Sequence, residues 1–149
     1  MKHRWAALVT VLALVSLLPV SLQAQDTTSV GRERRPGLEL GQNFPNPFNP
    51  TTTIPFTIGE ASCAGDGRTY RVTLQIFNVL AQLVAIPILQ GGEVAAGQPL
   101  MRVPLRCGTY TAYWNGNYLN TSQEVASGVY LYRLEVDGKI AVKKMIVMK

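Results

Sequence analysis

Apolar residues recurring at every second position, in short runs that each stop at glycine, asparagine or proline, restrict this chain to an all-β fold. Thr51 to Ile58 puts Ile54, Phe56 and Ile58 on one side and Thr53, Pro55 and Thr57 on the other. Tyr70 to Leu80 repeats the period through Val72, Leu74 and Ile76. Gly128 to Val136 does so with Tyr130, Tyr132, Leu134 and Val136 inward and Val129, Leu131, Arg133 and Glu135 outward. Gln82 to Leu89 reads as a more continuously apolar strand, Thr109 to Trp114 as another, and Lys139 to Lys149 as the closing one. Almost nothing favours helix.

About seven short strands in roughly 110 residues, separated by such turns, predict an antiparallel β-sandwich of the immunoglobulin or fibronectin type III kind, with Trp114 at its core. Pro55 confines its strand to a sheet edge, because proline has no N–H for a ladder. The polar stretch from Asn115 to Ser127 is a long connection, with Asn115-Gly116 and Ser127-Gly128 as turns at its two ends.

The chain opens with Lys2 and Arg4, an apolar stretch from Ala6 to Val20 and the small residue Ala24. This is the pattern of a secretory signal, residues 1–24, and the stretch is too short to span a bilayer. Residues 25–37, QDTTSVGRERRPG, are polar and charged and read as a disordered linker, which leaves 38–149 as the folded domain. Membrane contact is expected only through the signal peptide, and the mature chain is expected to be exported. Loss of Lys2 and Arg4 lowers the formal charge from +5 to +3. The remaining basic residues are scattered and not interleaved with aromatics, so no nucleic-acid partner is expected.

Cleavage would also remove His3, the only histidine. Without imidazole there is no Ser-His or Cys-His nucleophile pair, and two cysteines alone cannot close a tetrahedral metal site. Asp66 sits in a turn signal, AGDG, while Glu93, Glu124, Glu135 and Asp137 fall in loops or on an outer strand face. QGGEVAAGQ has no lysine and opens no helix, so it is no phosphate loop. The expectation is a chain without catalytic, metal or cofactor residues and without a small-molecule substrate.

The segment Leu38 to Pro50, LELGQNFPNPFNP, cannot be a central strand. Pro45, Pro47 and Pro50 lack donors and push the preceding residue into extended conformations. Asn43, Asn46 and Asn49 can bond the local main chain. Phe44 and Phe48 then remain as two apolar anchors for the sandwich. The segment Phe44-Pro45-Asn46-Pro47-Phe48-Asn49-Pro50 reads as a rigid latch across an open end or edge of the sheets. The rival reading is a docking peptide for a proline-binding module.

Cys63 follows the first strand and Cys107 precedes Gly108-Thr109-Tyr110. Alternating strand directions put both at one end of the sandwich, and in an exported protein they are expected to form a disulfide. In the closing strand Ile140 and Val142 share one face while Met145 and Val147 have the opposite parity, so a bulge is expected at Lys143-Lys144. Lys143, Lys144 and Lys149 bracket the apolar end as gatekeepers. This strand is either an ordinary closing strand under the latch or one that a receptor takes by edge addition.

In order and spacing, LGQNFPNPFNPTTTIPFTI, VTLQIFNVLAQLV, YWNG, VASGVYLYRLEVDG and KKMIVMK resemble the C-terminal sorting domains of type IX secretion (type A). They are similar also, for the fold, to the related Ig-like domain of flagellar hook-capping proteins. The likeness covers about Leu38 to Lys149. It implies an Ig-like sandwich from an envelope-bearing bacterium, whose partner is the secretion machinery of the outer membrane. Such domains direct passage to the outer-membrane surface or the medium, and are commonly removed or exchanged for a surface anchor. The resemblance places the sorting information in the last strands, on Gly128, Tyr130, Lys143, Lys144, Met145, Val147 and Lys149. Cargo is not expected, because the domain follows the signal almost directly. Ala81 stands where the family has glycine, so a positive φ is not expected there, and Asn115 keeps the turn chemistry of the family's aspartate. The alternative is a small structural or adhesive module of the envelope or extracellular space.

Overall fold

The structure, a computed structural model, describes residues 37–59, 67–91, 95–119 and 121–149. The chain divides into Met1–Arg32 and Glu33–Lys149. The expected leader, all of the expected linker but Gly37, and Cys63, Asp66 and Glu93 lie outside the described residues.

Among the described residues nine strands follow in chain order: β1 Leu38–Leu40, β2 Thr52–Ile58, β3 Thr69–Phe77, β4 Leu83–Ala85, β5 Ile88–Gln90, β6 Val103–Arg106, β7 Gly108–Trp114, β8 Gly128–Val136 and β9 Lys139–Val147. They form two antiparallel sheets, β1-β2-β7-β5 and β4-β3-β8-β9, with β6 also paired to β3. The fold is an all-β, Ig-like sandwich. Alternation drives it: Ile54, Phe56 and Ile58 from β2 and Ala112 and Trp114 from β7 are buried on one sheet. Val72, Leu74 and Ile76 from β3 and Tyr132, Leu134 and Val136 from β8 are buried on the other. Each fully buried large apolar side chain stabilises such a core by about 1.5–3 kcal/mol.

Four expectations need correction. The first is the place of β2, which is not an edge: β1 pairs with it on one side and β7 on the other. Pro55 is tolerated because β1 has ended at Leu40, and the Pro55 carbonyl accepts the Gly41 N–H at 2.8 Å. A Cβ on Gly41 would lie 2.6 Å from Pro55 Cγ, so glycine is what lets the chain pass so close.

Second, Gln82 to Leu89 is not one strand. After Ala85 the chain leaves β3, passes Ile86 and Pro87, and joins β7 in the other sheet as β5. Pro87 has no donor to continue a ladder, and its carbonyl accepts the Leu100 N–H at 2.9 Å. A further strand, β6, was hidden by Pro104, which sits on an edge strand with its side chain outward while Val103 and Leu105 are buried.

Third, β9 has no bulge. Its register against β8 is unbroken from Gly128↔Val147 to Val136↔Lys139. The two-residue turn between them sets it, with Asp137 at φ 47° and Gly138 at φ 81°, the geometry of a tight hairpin. Parity then drives Met145 and Val147 inward and leaves Ile140 and Val142 more than half exposed.

Fourth, Ala81 does have a positive φ, 58°. The β3–β4 hairpin demands it: the Ala81 N–H donates to the Asn78 carbonyl at 3.0 Å, and Asn78 Oδ1 accepts the Leu80 and Gln82 N–H groups, both at 3.0 Å. That is a turn closed by one left-handed residue, and the register shift beside Phe77 is the accompanying bulge.

Candidate functional site

The segment from Gly41 to Pro50 joins the open edges of the two sheets. At its start the Phe44 N–H donates to the Thr53 carbonyl at 2.8 Å and the Thr53 N–H returns to the Phe44 carbonyl at 2.9 Å. At its end the Phe48 N–H donates to the Ile146 carbonyl, and the Met148 N–H to the Phe48 carbonyl, both at 3.0 Å. Asn46 Oδ1 accepts the Ile146 N–H at 3.0 Å, and Gln42 Nε2 donates to the Lys144 carbonyl at 3.1 Å. Backbone groups of β9 that would otherwise be an open edge are thus bonded from Lys144 to Met148. The bonds of Phe44-Pro45, Asn46-Pro47 and Asn49-Pro50 are all cis.

Only one of the two phenylalanines is an anchor. Phe48 is 2% exposed and meets Trp114 edge-on at 5.4 Å between ring centroids. Phe44 is 76% exposed, contrary to the expectation that both are buried. The antiparallel bridge to Thr53 explains this: it uses the Phe44 backbone and turns the side chain away from the core. The asparagines also divide their work. Asn43 is buried and bonds locally, Nδ2 donating to the Pro45 carbonyl and to Thr52 Oγ1, both at 3.0 Å. Asn46 reaches across to β9, and Asn49 is exposed.

The residues quoted for the family resemblance meet here. Trp114 packs edge-on against Tyr130 at 6.0 Å and donates from Nε1 to the Asn117 carbonyl at 3.0 Å. Gly116, at φ 78°, lies against Pro50: a Cβ there would come within 2.3 Å of the Pro50 carbonyl oxygen. Tyr130 donates to the Ala126 carbonyl at 2.9 Å, just ahead of Gly128, which opens β8. Met145 and Val147 are buried, and Lys143 and Lys144 are exposed. Lys149 is tied down twice, by its N–H to Ser127 Oγ at 3.0 Å and by Nζ to Glu124 at 2.9 Å. Edge addition over Met145 to Met148 is therefore pre-empted by the latch.

Sequence reasoning missed the polar centre of this junction. The Tyr132 hydroxyl accepts the Asn43 N–H at 3.1 Å and donates to the Gly41 carbonyl at 2.8 Å. Thr52 Oγ1 donates to the Pro45 carbonyl at 3.0 Å. Burial raises the Tyr132 pKa above its ordinary value, against a smaller opposing effect of the Asn43 N–H. The signal was available, since a tyrosine and a threonine at inward positions must each find a partner.

Three of the four acidic side chains among the described residues hold structural partners. Glu124 pairs with Lys149, Glu135 with Arg133 at 2.6 Å, and Asp137 accepts the Arg71 N–H at 2.9 Å. Two clefts beside the Asn115–Val125 connection measure about 100 and 180 Å³, below the roughly 300–1,000 Å³ of small-molecule sites. What the junction leaves exposed is the Phe44 ring and the side chains of Lys143 and Lys144.

No family model matches the sequence, and no curated protein matches it. A solved structure that it resembles is that of PorZ, an essential bacterial surface component of the type-IX secretion system of human oral-microbiomic Porphyromonas gingivalis. That likeness has 18% identity and a TM-score of 0.41, and covers 76% of this chain and 12% of that one. The chain thus spans about an eighth of that protein's length.

Proposed function

We propose that this chain is a non-catalytic, exported sandwich that acts as a type IX sorting and surface-attachment domain, read by the secretion machinery of the outer membrane. One observation carries the proposal: motif pieces as far apart in sequence as Phe48 and Val147 are assembled into one junction, with Phe48, Trp114 and Tyr130 in ring contact. The sequence pattern that resembles a sorting domain thereby becomes a single packed unit, and Lys143 and Lys144 are exposed on β9 beside the clamped strand end, on its two opposite sides. With the edge beyond Lys144 bonded to the latch, recognition is expected to act through these lysine side chains on the folded domain. Their charge is compact and strongly hydrated, suited to a reversible contact with an acidic surface. Export depends on residues 1–24, and the carboxylates already engaged structurally support the non-catalytic part of the reading.

The test is a reporter placed between a signal peptide and residues 38–149, expressed in a type IX-competent host. Reporter in the medium or on the cell surface supports sorting. Retention in the periplasm supports the alternative, a structural or adhesive envelope module that keeps the fold alone. Lys143→Ala with Lys144→Ala is the informative variant, expected to weaken export with the melting temperature unchanged. Deleting Lys143 to Lys149 is not informative, because it strips Met145 and Val147 from the core and removes the partner of Phe48.

A further inference from the structure

The outer faces of the two sheets differ in kind. The β3-β8-β9 face is charged, with Arg71, Arg133, Glu135 and Lys144 among its outward positions. The outer face of β1-β2-β7-β5 carries one charge, Glu39, at its corner beside Thr57. Its other outward positions are threonines on β2 and β7 together with Pro55, Tyr113, Ile88 and Gln90. Lateral pairing sets a row across the strands: Phe44 lies beside Thr53, Thr53 beside Tyr113, Tyr113 beside Ile88, and Ile88 beside Pro99. At 76% exposed, the Phe44 ring contributes little to the core, so the fold does not account for an aromatic side chain there. We propose that this row is a binding site for an extended, uncharged glycan chain of the cellulose or chitin kind, which lies across the strands with its sugar rings on Phe44 and Tyr113.

Spacing selects the ligand. Phe44 and Tyr113 flank Thr53, so two strand widths of about 4.8 Å place them about 9.6 Å apart on one face. In a cellulose-like chain successive sugar rings are turned over, so every second ring offers the same face of axial C–H groups, and the two-ring repeat has about this length. Those C–H groups pack on an aromatic ring by dispersion, while the equatorial hydroxyls at the rim need polar partners. Thr111, Tyr113 and Gln90, on the row or next to it, have side chains that make no hydrogen bond to other described residues and can supply them. Beyond Tyr113 the row meets the cleft of about 100 Å³ bordered by Ile88, Pro99, Asn115 and Thr121. It is too small for a whole ligand but open to a hydroxymethyl or acetamido substituent of a chain lying over it. Charge rules out the rivals of opposite kind: nucleic acids and acidic polymers need cations, and the outward positions of these four strands include no lysine or arginine. A protein partner would want a contiguous apolar centre, whereas threonine separates the two rings here.

Isothermal titration calorimetry of the chain with cellohexaose and with chitohexaose tests this. At least one is expected to bind with a dissociation constant below about 1 mM. Alginate, which is acidic, and laminarihexaose, whose linkage coils the chain and breaks the repeat, are expected not to bind. Phe44→Ala should weaken binding at least about 5-fold, the loss of one principal contact. It should leave the melting temperature unchanged, because the backbone bridge to Thr53 is retained. Tyr113→Thr should weaken binding as much; if it also lowers the melting temperature, Gln90→Ala, at an exposed position beside the row, takes its place. Val142→Thr, at an exposed position of the other sheet, should leave binding unchanged. Failure of both sugars to bind at about 5 mM overturns the proposal. So does binding that is indifferent to Phe44→Ala, or alginate binding tighter than either neutral sugar. Association of copies that Phe44→Ala abolishes, with no sugar bound, gives the face to a protein partner and overturns it too. The outcome is independent of whether the domain sorts.

Discussion

Phe48→Ala and Phe44→Ala are the same substitution, four residues apart in one segment, and should differ by almost the whole value of a buried aromatic. Phe48 is 2% exposed and its ring contacts Trp114 edge-on, so truncation opens a cavity where the latch meets the core. Loss of a buried phenylalanine costs about 3–5 kcal/mol, part of it from the edge-on aromatic contact. In a domain of this size 1 kcal/mol moves the melting temperature by roughly 4 °C, so a fall on the order of 12–20 °C is expected. Phe44 is 76% exposed and binds Thr53 through its backbone, which alanine retains. Its substitution should stay within about 0.5 kcal/mol. Urea titration of both variants followed by tryptophan fluorescence measures the difference, with similar slopes as the check that unfolding is still two-state. Equal effects of the two substitutions, or a loss under about 1 kcal/mol for Phe48→Ala, would refute the account of the latch as held by one anchor.

Ala81→Gly should stabilise the domain by about 1 kcal/mol, because Ala81 pays for a left-handed conformation at φ 58° that glycine adopts freely; an unchanged or lower midpoint in urea counts against the hairpin geometry. Tyr132→Phe should cost about 1–3 kcal/mol at neutral pH, since it leaves the buried Asn43 N–H without its acceptor. The raised folded-state pKa of Tyr132 means that the native chain holds its proton more tightly than the unfolded one. Stability should therefore fall as pH rises above about 10, and the fall should be shallower in Tyr132→Phe when melting is followed against pH. We also expect Cys63 and Cys107 to be bridged. Ile58 pairs with Gly108 and Thr69 with Arg106, so the chain on both sides of the Cys63 segment runs beside Cys107. A closed loop of about 45 residues adds about 4 kcal/mol in the chain-entropy account. Two reactive thiols in the unreduced, denatured protein would exclude the bridge.

Local pattern was enough for the strands that bury one face. The alternation in β2, β3 and β8 names the core residues directly, since a period of two leaves a half-buried strand no other way to sort its side chains. Proline and asparagine likewise bar the Phe44 to Pro50 segment from a sheet interior by local chemistry alone. Which sheet a strand joins, and which neighbour lies on its flank, depends on residues far away. Pro55 is tolerated within β2 because β1 stops one residue short of it, and Gln82 to Leu89 divides at Pro87 because one half pairs with β3 and the other with β7. The parity of β9 was settled by the turn at Asp137-Gly138 and by the burial of Met145 and Val147, which leaves Ile140 and Val142 outside where hydrophobicity alone would have put them in. Phe44 and Phe48 have the same side chain, and the sequence treats them alike. Only the bridges to Thr53 and Val147 decide that one ring faces water and the other faces Trp114, because a side chain's direction follows from the backbone partner that its residue finds.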